Sequence, residues 1–224
     1  MNLSNILGSI AVERQRRMSG LLKPDPHALV LWNQALAALK SDAERSRLTH
    51  AFTYAKGIKY KHAGLTSEIY FSHPLRVAAL AVLISGTQEA DIGILAILHN
   101  VLEVSDVSAD TLAEIFGVEI ASQVTALTVD RAIQWHPPYK TEYYRKLMDG
   151  PHASRVVKIL DKLDNLFLLG LNPDEEVKEK YLAEINLFVL PMTQLALPYL
   201  ETYLQELIID CQKTGLLEHP TANH

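Results

Sequence analysis

The chain has 224 residues, of which 48% are hydrophobic and 21% are charged, as in an ordinary globular protein with a substantial core. A net charge of −5 argues against general binding to nucleic acid or to an anionic membrane surface. One cysteine cannot form an internal disulfide and no apolar run is long enough to span a bilayer, so we expect a cytoplasmic protein.

The spacing of apolar residues predicts an all-α fold, without strand alternation, repeats or low-complexity segments. Residues 1–26 are predicted to form an N-terminal arm, in which a short apolar helix face precedes an arginine cluster and the breakers Gly20 and Pro24. We favour docking of this arm against the body or a second subunit over binding to a membrane surface. A single helical domain is predicted over 27–211, followed by a mobile polar tail over 212–224. The predicted helices span residues 26–40, 43–60, 74–84, 88–104, 109–116, 118–128, 139–148, 155–169, 174–189 and 191–211.

The helix predicted over 88–104 has apolar residues on every face and is therefore expected in the core. It carries His99, Asn100 and Glu103. Because residues four apart share a helix face, His99 and Glu103 should face one cavity. Burying three polar groups is costly unless they bind something. The alternative is one hydrogen-bonded histidine and a helix end that frays into solvent at Glu103.

Two further helices carry polar side chains among apolar residues. His73 stands at the start of a helix, just before Pro74, and Asp161 and Asn165 lie four apart on a later helix. Two histidines and a carboxylate suit manganese, iron or zinc, and the Asn100 side chain can add a carbonyl oxygen. Such an ion lowers the pKa of bound water and polarises a phosphoryl oxygen, so the set is a plausible site for a catalytic metal ion.

Two groups could act beside such an ion. Glu103, one turn after His99, is placed to take a proton from the attacking water or to orient it. A basic cluster of Lys59, Lys61 and His62 ends a helix before a glycine-containing loop. This cluster is either a solvated helix end or a contact for a phosphate.

Five segments, in order over about residues 48–170, resemble the hydrolase domain of the RelA/SpoT family. They are AFTYA with YFSHPLRVA (51–55 and 70–78), AILHNVLEV (96–104), the stretch from FGVEIA to LT (116–128), YRKL (144–147) and KILDKLDNL (158–166). Five motifs in the same order as in the family make this resemblance specific. By them the chain resembles a stand-alone hydrolase module, similar to the small alarmone hydrolases, with helices added at both ends.

The resemblance implies an HD-type phosphohydrolase bundle that uses Mn²⁺ to remove the 3′-pyrophosphate of guanosine tetraphosphate-type alarmones such as ppGpp. It implies metal ligation by His73, His99, Asn100 and Asp161, with Asn100 at the position of the aspartate that names the fold. It makes Glu103 and Asn100 the catalytic residues. The residues it implies for substrate binding are Tyr144, Arg145, Lys146 and Asn165, and Lys61 and His62 of the basic cluster are further candidate substrate contacts.

Three positions depart from the family pattern. Asn100 replaces an aspartate, Val104 replaces the second acid of a Glu-Asp pair, and the loop 64–69 lacks the family's arginine-containing segment. Two alternatives to the alarmone hydrolase therefore stay open. One is a non-catalytic module that binds a nucleotide or a partner, and the other is a phosphohydrolase of a different nucleotide. The added helices over 174–211 either cover the core or form a homodimer, and we favour core packing.

Overall fold

The computed structural model describes residues 6–62 and 64–214, and within them the chain is helical and contains no strand. This confirms the all-α prediction. The α-helices, numbered in chain order, are α1 (Ile10–Ser19), α2 (Pro26–Ala38), α3 (Asp42–Lys56), α4 (Ser67–Tyr70), α5 (Ser72–Ile84), α6 (Ala90–Leu98), α7 (Val101–Val104), α8 (Ala109–Phe116), α9 (Val118–Leu127), α10 (Pro137–Asp149), α11 (His152–Leu166), α12 (Glu175–Glu184), α13 (Leu190–Ala196) and α14 (Glu201–Thr214).

The core is built around α5 and α6, in which nearly all side chains are buried. α5 packs against α2, α6 and α11, and α3 also packs against α6. Gly93 permits this close approach, because a Cβ atom there would lie 2.8 Å from side-chain carbons of both Leu48 on α3 and Val82 on α5. The close packing holds the end of α6 next to α5 and α11, the three elements that form the site described below.

The helix predicted over 88–104 is in fact two helices, α6 and α7, which are separated at His99 and Asn100. The backbone of Asn100 has φ −115° and ψ 7°, outside the helical region. Nδ1 of His99 lies 2.7 Å from the Ala96 carbonyl oxygen, which in a continuous helix would accept the Asn100 N–H. A local side-chain bond thus competes with the helix ladder, so the premise that His99 and Glu103 share one helix face was wrong.

The other helices lie close to their predicted positions, with shifts of a few residues at their ends. α3 stops at Lys56, before the predicted end at residue 60, because Gly57 terminates it. The C-terminal region differs more, since a π turn (Ile185–Val189) joins α12 to α13 without a break. Pro191 lies within this continuous segment, directly after the π turn, whereas Pro198 begins a 3-10 turn before α14.

α1 contacts the body through charged side chains. Glu13, Arg14 and Arg17 are all buried, although each carries a charge. Arg14 pairs with Asp210 of α14, and Arg17 pairs with Asp164 of α11 at 2.6 Å. Of the interpretations of the arm, docking against the body is the one that these contacts support.

The C-terminal helices lie against the same core. Leu204 and Leu207 of α14 are fully buried, so packing accounts for the apolar face of this helix. The predicted tail over 212–224 begins inside α14, and residues 215–224 lie outside the described residues. Within the described ranges, no helix is both long enough and apolar enough to cross a membrane.

Candidate active site

A cavity of about 820 Å³ opens beside the start of α5. Its wall comes from separate parts of the chain: the end of α1 with the loop to α2, the residues around His99, the loop after α9, and α11 with the segment that follows it. The volume falls in the range of small-molecule sites in proteins. The cavity is therefore large enough for a nucleotide.

Three predicted metal ligands meet at this wall: His73 from α5, His99 after α6, and Asp161 from α11. Their ligand atoms all lie within 4.8 Å of one another. The Nε2 atoms of His73 and His99 lie 3.4 and 3.5 Å from the same oxygen, Oδ1 of Asp161. The fold thus brings together a set of side chains from which a divalent-metal site is built.

Hydrogen bonds behind the two histidines decide which ring nitrogen faces Asp161. Nδ1 of His99 lies 2.7 Å from the Ala96 carbonyl oxygen, which can only accept, so this Nδ1 carries a hydrogen. Nδ1 of His73 lies 2.8 Å from a carboxylate oxygen of Asp164, which imposes the same tautomer. In the neutral rings both Nε2 lone pairs then face a carboxylate oxygen, an arrangement that is repulsive unless a cation lies between them.

Two buried atoms of the site have unmet bonding capacity. His99 Nε2 and Asn100 Oδ1 form no hydrogen bond within the described chain, and unpaired polar atoms are costly in a protein interior. The amide nitrogen of Asn100 donates to the Tyr70 hydroxyl, which leaves Oδ1 as the free acceptor of this side chain. A divalent cation would use both atoms, so the residues present fit a metal ion.

The pKa shifts of His73 and Asp161 also favour a positive charge at this site. Burial lowers the pKa of His73, but hydrogen bonds to Asp161 and Asp164 outweigh it and raise that pKa. Burial raises the pKa of Asp161, but the charge of Lys158 and the neighbouring imidazoles of His73 and His99 hold it well below its usual range. Both shifts stabilise a positive charge beside the Asp161 carboxylate.

Asp161 is held in place by its own helix. Nζ of Lys158 lies 3.1 Å from Oδ2, and Nδ2 of Asn165 donates to Oδ1 at 2.8 Å. Asn165, predicted to contact the substrate, therefore lies at the cavity wall with its amide nitrogen engaged. Lys158 was not predicted as a site residue. Its spacing of three residues from Asp161 on a buried helix was the available signal.

Asp164 is a second carboxylate on α11 that the sequence prediction missed. It is 2% exposed, and its oxygens accept hydrogen bonds from Arg17, Arg76 and His73 over 2.6–2.9 Å. Burial raises its pKa, but the charges of Arg17 and Arg76 hold it well below its usual range. The spacing of three residues from Asp161 was again a signal. The partner Arg17 comes from the arm, and no spacing within the sequence could indicate it.

Glu103 lies at the cavity wall and is not frayed into solvent. Its side chain is 11% exposed. The backbone N–H of Val129 donates to Oε1 at 2.9 Å, and Nε of Arg131 lies 3.4 Å from Oε2. His99 and Glu103 therefore line the same cavity, although they do so from either side of a helix break.

The predicted substrate contacts on α10 are not part of the cavity wall. Tyr144 is buried, and its hydroxyl donates to Glu184. Arg145 is exposed and bonds to Glu142 of its own helix at 2.7 Å. The Lys146 ammonium lies 3.7 Å from the same Glu142 carboxylate. All three side chains thus bind acidic partners that do not line the cavity.

Of the two predicted substrate contacts after α3, one lines the cavity and the other does not. His62 lines the cavity, with its ring centroid 5.0 Å from that of Tyr70. Lys61 points to Asp106, with which it forms an exposed ion pair. Other cations line the cavity that were not predicted to do so, among them Lys23 in the loop after α1, Arg131 in the loop after α9, and Lys162 on α11.

The sequence is similar to an HD domain and to enzymes named for guanosine alarmones. Residues 70–166 match the family model of the HD domain. The chain is 29% identical over 142 residues to GTP pyrophosphokinase rsh of Brucella melitensis, and 28% identical over 134 residues to guanosine-3′,5′-bis(diphosphate) 3′-pyrophosphohydrolase of Aquifex aeolicus. These alignments cover 61% and 59% of this chain but only 19% of each relative.

A shorter relative is MESH1 of Danio rerio, also named guanosine-3′,5′-bis(diphosphate) 3′-pyrophosphohydrolase. It is 28% identical over 119 residues, which cover 51% of this chain and 63% of the relative. A solved structure, presented as a metazoan ortholog of SpoT that hydrolyzes ppGpp, superposes with a TM-score of 0.59 at 20% identity. The superposition covers 76% of this chain and 97% of that one, and it establishes the fold. The predicted fold and family resemblance are confirmed: residues 70–166 match the HD domain, the superposition shows its helical fold, and the chain is similar in sequence to guanosine-3′,5′-bis(diphosphate) 3′-pyrophosphohydrolases.

Proposed function

We propose that this protein is a divalent-metal-dependent phosphohydrolase that removes the 3′-pyrophosphate of guanosine tetraphosphate-type alarmones such as ppGpp. The observation that carries the proposal is the convergence of His73, His99 and Asp161 at the wall of a nucleotide-sized cavity. The names of the Aquifex aeolicus and Danio rerio relatives support the substrate class, since both are named for hydrolysis of this nucleotide.

In this proposal His73, His99 and Asp161 hold the ion, and Oδ1 of Asn100 is a further oxygen ligand. Two imidazoles with carboxylate and amide oxygens suit Mn²⁺, which is the ion we propose. When bound, such an ion supplies Lewis acidity that activates water and polarises a phosphoryl group. The hydrogen bonds at both Nδ1 atoms, one of them to Asp164, keep the Nε2 atoms turned toward the ligand position.

Glu103 is the proposed general base. The Val129 N–H fixes its carboxylate, and little solvent surrounds it. A fixed carboxylate at the cavity wall can accept the proton of the attacking water as the water oxygen bonds to phosphorus. The bond between phosphorus and the ribose 3′ oxygen breaks, and this oxygen takes up a proton from solvent and leaves as a hydroxyl. Val104, where the family has a second acid, is buried in the core, so Glu103 acts without a carboxylate at the next position.

The 3′-pyrophosphate carries several negative charges, and the cavity wall supplies cations for them. Lys162 and Arg131 lie on this wall together with Lys23. Asn165, from the family resemblance, and His62, from the basic cluster after α3, are the proposed substrate contacts that also line the cavity. Charge-assisted hydrogen bonds from such groups both hold the nucleotide and stabilise the charge on the phosphoryl oxygens.

Release of pyrophosphate from ppGpp, measured with purified protein and Mn²⁺, tests the proposal. Turnover by the wild type that disappears in His99→Ala would support it. Asn100→Asp, which restores the carboxylate of the family pattern, is measured in parallel. A wild type without turnover, together with a gain of turnover in Asn100→Asp, would refute the proposed activity for the natural protein.

A second candidate is a module that binds the nucleotide without hydrolysing it. Two residues favour it, because the neutral Asn100 removes one negative charge from the ligand set and Val104 removes one acid from the water-activating pair. Calorimetric titration with ppGpp distinguishes it, since this module would bind the nucleotide and release no pyrophosphate. Turnover of another nucleotide in the same assay, with none of ppGpp, would instead identify a different substrate.

A further inference from the structure

We infer that the N-terminal helix α1 is part of the metal site: Arg17 is a positioning residue that fixes Asp164 and, through it, the proposed ligand His73. The inference rests on the proposed metal site and does not depend on which nucleotide is hydrolysed. α1 lies outside the segment that matches the HD domain, which begins at residue 70. The contact is therefore an addition to the domain from another part of the chain.

The guanidinium of Arg17 is held on three sides. Nη1 donates both to the carboxylate of Asp164 at 2.6 Å and to the backbone carbonyl oxygen of the same residue at 3.0 Å. Nε donates to Oε1 of Glu13 at 2.7 Å, and Cζ lies 4.2 Å from the ring centroid of Phe167. One nitrogen thus holds the side chain of Asp164 against its own backbone, which restrains rotation of the carboxylate.

Four hydrogen bonds together leave the Asp164 carboxylate one orientation. Oδ1 accepts from Arg17 and from Nε of Arg76 at 2.9 Å. Oδ2 accepts from Nη2 of Arg76 and from Nδ1 of His73, both at 2.8 Å. The bond to Oδ2 orients the imidazole of His73, and the two arginines orient Oδ2. Substitution of a group that hydrogen-bonds to a ligating histidine typically lowers metal affinity by roughly 10- to 100-fold, because the ring is then no longer held toward the metal.

The remaining charges of α1 close this network. Arg16 bonds to Glu13 at 2.6 Å and also pairs with Asp25. Asp25 in turn accepts from Nη1 of Arg76 at 3.0 Å. The ion pairs therefore form a ring through Arg17, Asp164, Arg76, Asp25, Arg16 and Glu13. A buried network in which each member is paired is rigid, so a change at Arg17 should be transmitted to Asp164 and not absorbed.

Simple anchoring of α1 is the competing explanation, and the same helix offers a matched control. Arg14, one turn before Arg17, is also buried and pairs with Asp210 on α14. Arg17 belongs to the cavity wall, whereas Arg14 is not among the described residues that form it. Substitution of either arginine should weaken the attachment of α1, but only substitution of Arg17 should disturb the position of Asp164.

The test is the Kd of Mn²⁺, measured by titration calorimetry on the full chain, together with the thermal unfolding midpoint. We expect Arg17→Met to weaken Mn²⁺ binding about tenfold. Arg17→Lys keeps the charge but loses the fork of donors, so its Kd should fall in between. Arg14→Met should lower the midpoint but leave the Kd unchanged. A wild-type Kd in Arg17→Met, or equal weakening in Arg17→Met and Arg14→Met, would overturn the inference.

A double-mutant cycle tests the route through Asp164. In the Asp164→Asn background, Arg17→Met should weaken Mn²⁺ binding no further, whereas additive losses would refute this route. If Arg17→Met does not fold, Arg17→Lys serves in both comparisons. Mn²⁺ binding without hydrolysis of ppGpp would refute the proposed function and leave this inference standing. A wild type that binds no Mn²⁺ would refute the metal site and this inference with it.

Discussion

Glu184, at the end of α12, provides a quantitative test of the electrostatics near the cavity. Its buried carboxylate accepts the Tyr144 hydroxyl, lies 2.7 Å from Nζ of Lys162 and also pairs with Lys140. Burial raises its pKa, but the charge of Lys162 and the hydrogen bond from Lys140 outweigh this effect. Together they lower the pKa from 4.5 to about 2. Because Lys162 lines the cavity, Glu184 also fixes one of the cations proposed to meet the substrate.

A pKa lowered from 4.5 to about 2 corresponds to about 3 kcal/mol in the free energy of unfolding. The folded pKa lies below the unfolded one, so this contribution is fully present above about pH 5.5 and is lost as the pH falls toward 2. About 1.4 kcal/mol should remain at pH 3. We therefore expect Glu184→Gln to destabilise the protein by about 3 kcal/mol at pH 7 and by about half as much at pH 3.

Urea unfolding, followed by circular dichroism between pH 3 and pH 7, measures this difference. Glu142→Gln is the matched control. A hydrogen bond from Arg145 also lowers the pKa of Glu142 to about 2, but this carboxylate is exposed and solvent screens the pair. The control should therefore show nearly the pH profile of the wild type. A loss in Glu184→Gln that stayed constant from pH 3 to pH 7 would refute the electrostatic account.

Three further outcomes are expected. Mn²⁺ at 100 times its Kd should raise the free energy of unfolding of the wild type by about 2.7 kcal/mol, measured by thermal unfolding. A chelator should reverse this increase, and Mn²⁺ should not stabilise His99→Ala. Gly93→Ala should lower that free energy by about 1–3 kcal/mol in urea unfolding, because its Cβ would meet Leu48 and Val82 at 2.8 Å. Arg131→Ala should raise the KM for ppGpp and leave the Kd of Mn²⁺ unchanged, and a changed Kd would argue against a role confined to the substrate.

The candidate metal ligands could be selected from the sequence because polar side chains stand out on apolar helices. His73, His99 and Asp161 were identified in this way, and the fold brings them together. The reason given for the position of Glu103 was nevertheless wrong. The break between α6 and α7 depends on one bond from the His99 side chain to the Ala96 carbonyl, and a hydrophobic pattern does not report such a bond.

The cations of the cavity were harder to predict, because their direction depends on which helix face is buried. Tyr144 occupies the inward face of α10, and successive residues on a helix are rotated by about 100°, so Arg145 and Lys146 point to solvent. Lys23 and Arg131 lie in loops, whose paths have no periodic signal. The family motif thus predicts basic residues on α10 near the nucleotide, while packing places other basic residues at the cavity wall.

The neutral side chain of Asn100 should couple the binding of metal and substrate. Asp161 is then the one anionic side chain in the proposed ligand set, and Lys158 places a cation 3.1 Å from its second oxygen. The charge of Asp164 is balanced by two arginines. A divalent ion would therefore leave an excess of positive charge that a polyphosphate can balance. Mn²⁺ and the polyphosphate should each bind about tenfold more tightly in the presence of the other. Titration of Mn²⁺ with and without inorganic pyrophosphate, corrected for the complex they form in solution, measures this factor. Asn100→Asp should bind Mn²⁺ more tightly alone and show less coupling, and an unchanged factor in that variant would contradict the charge argument.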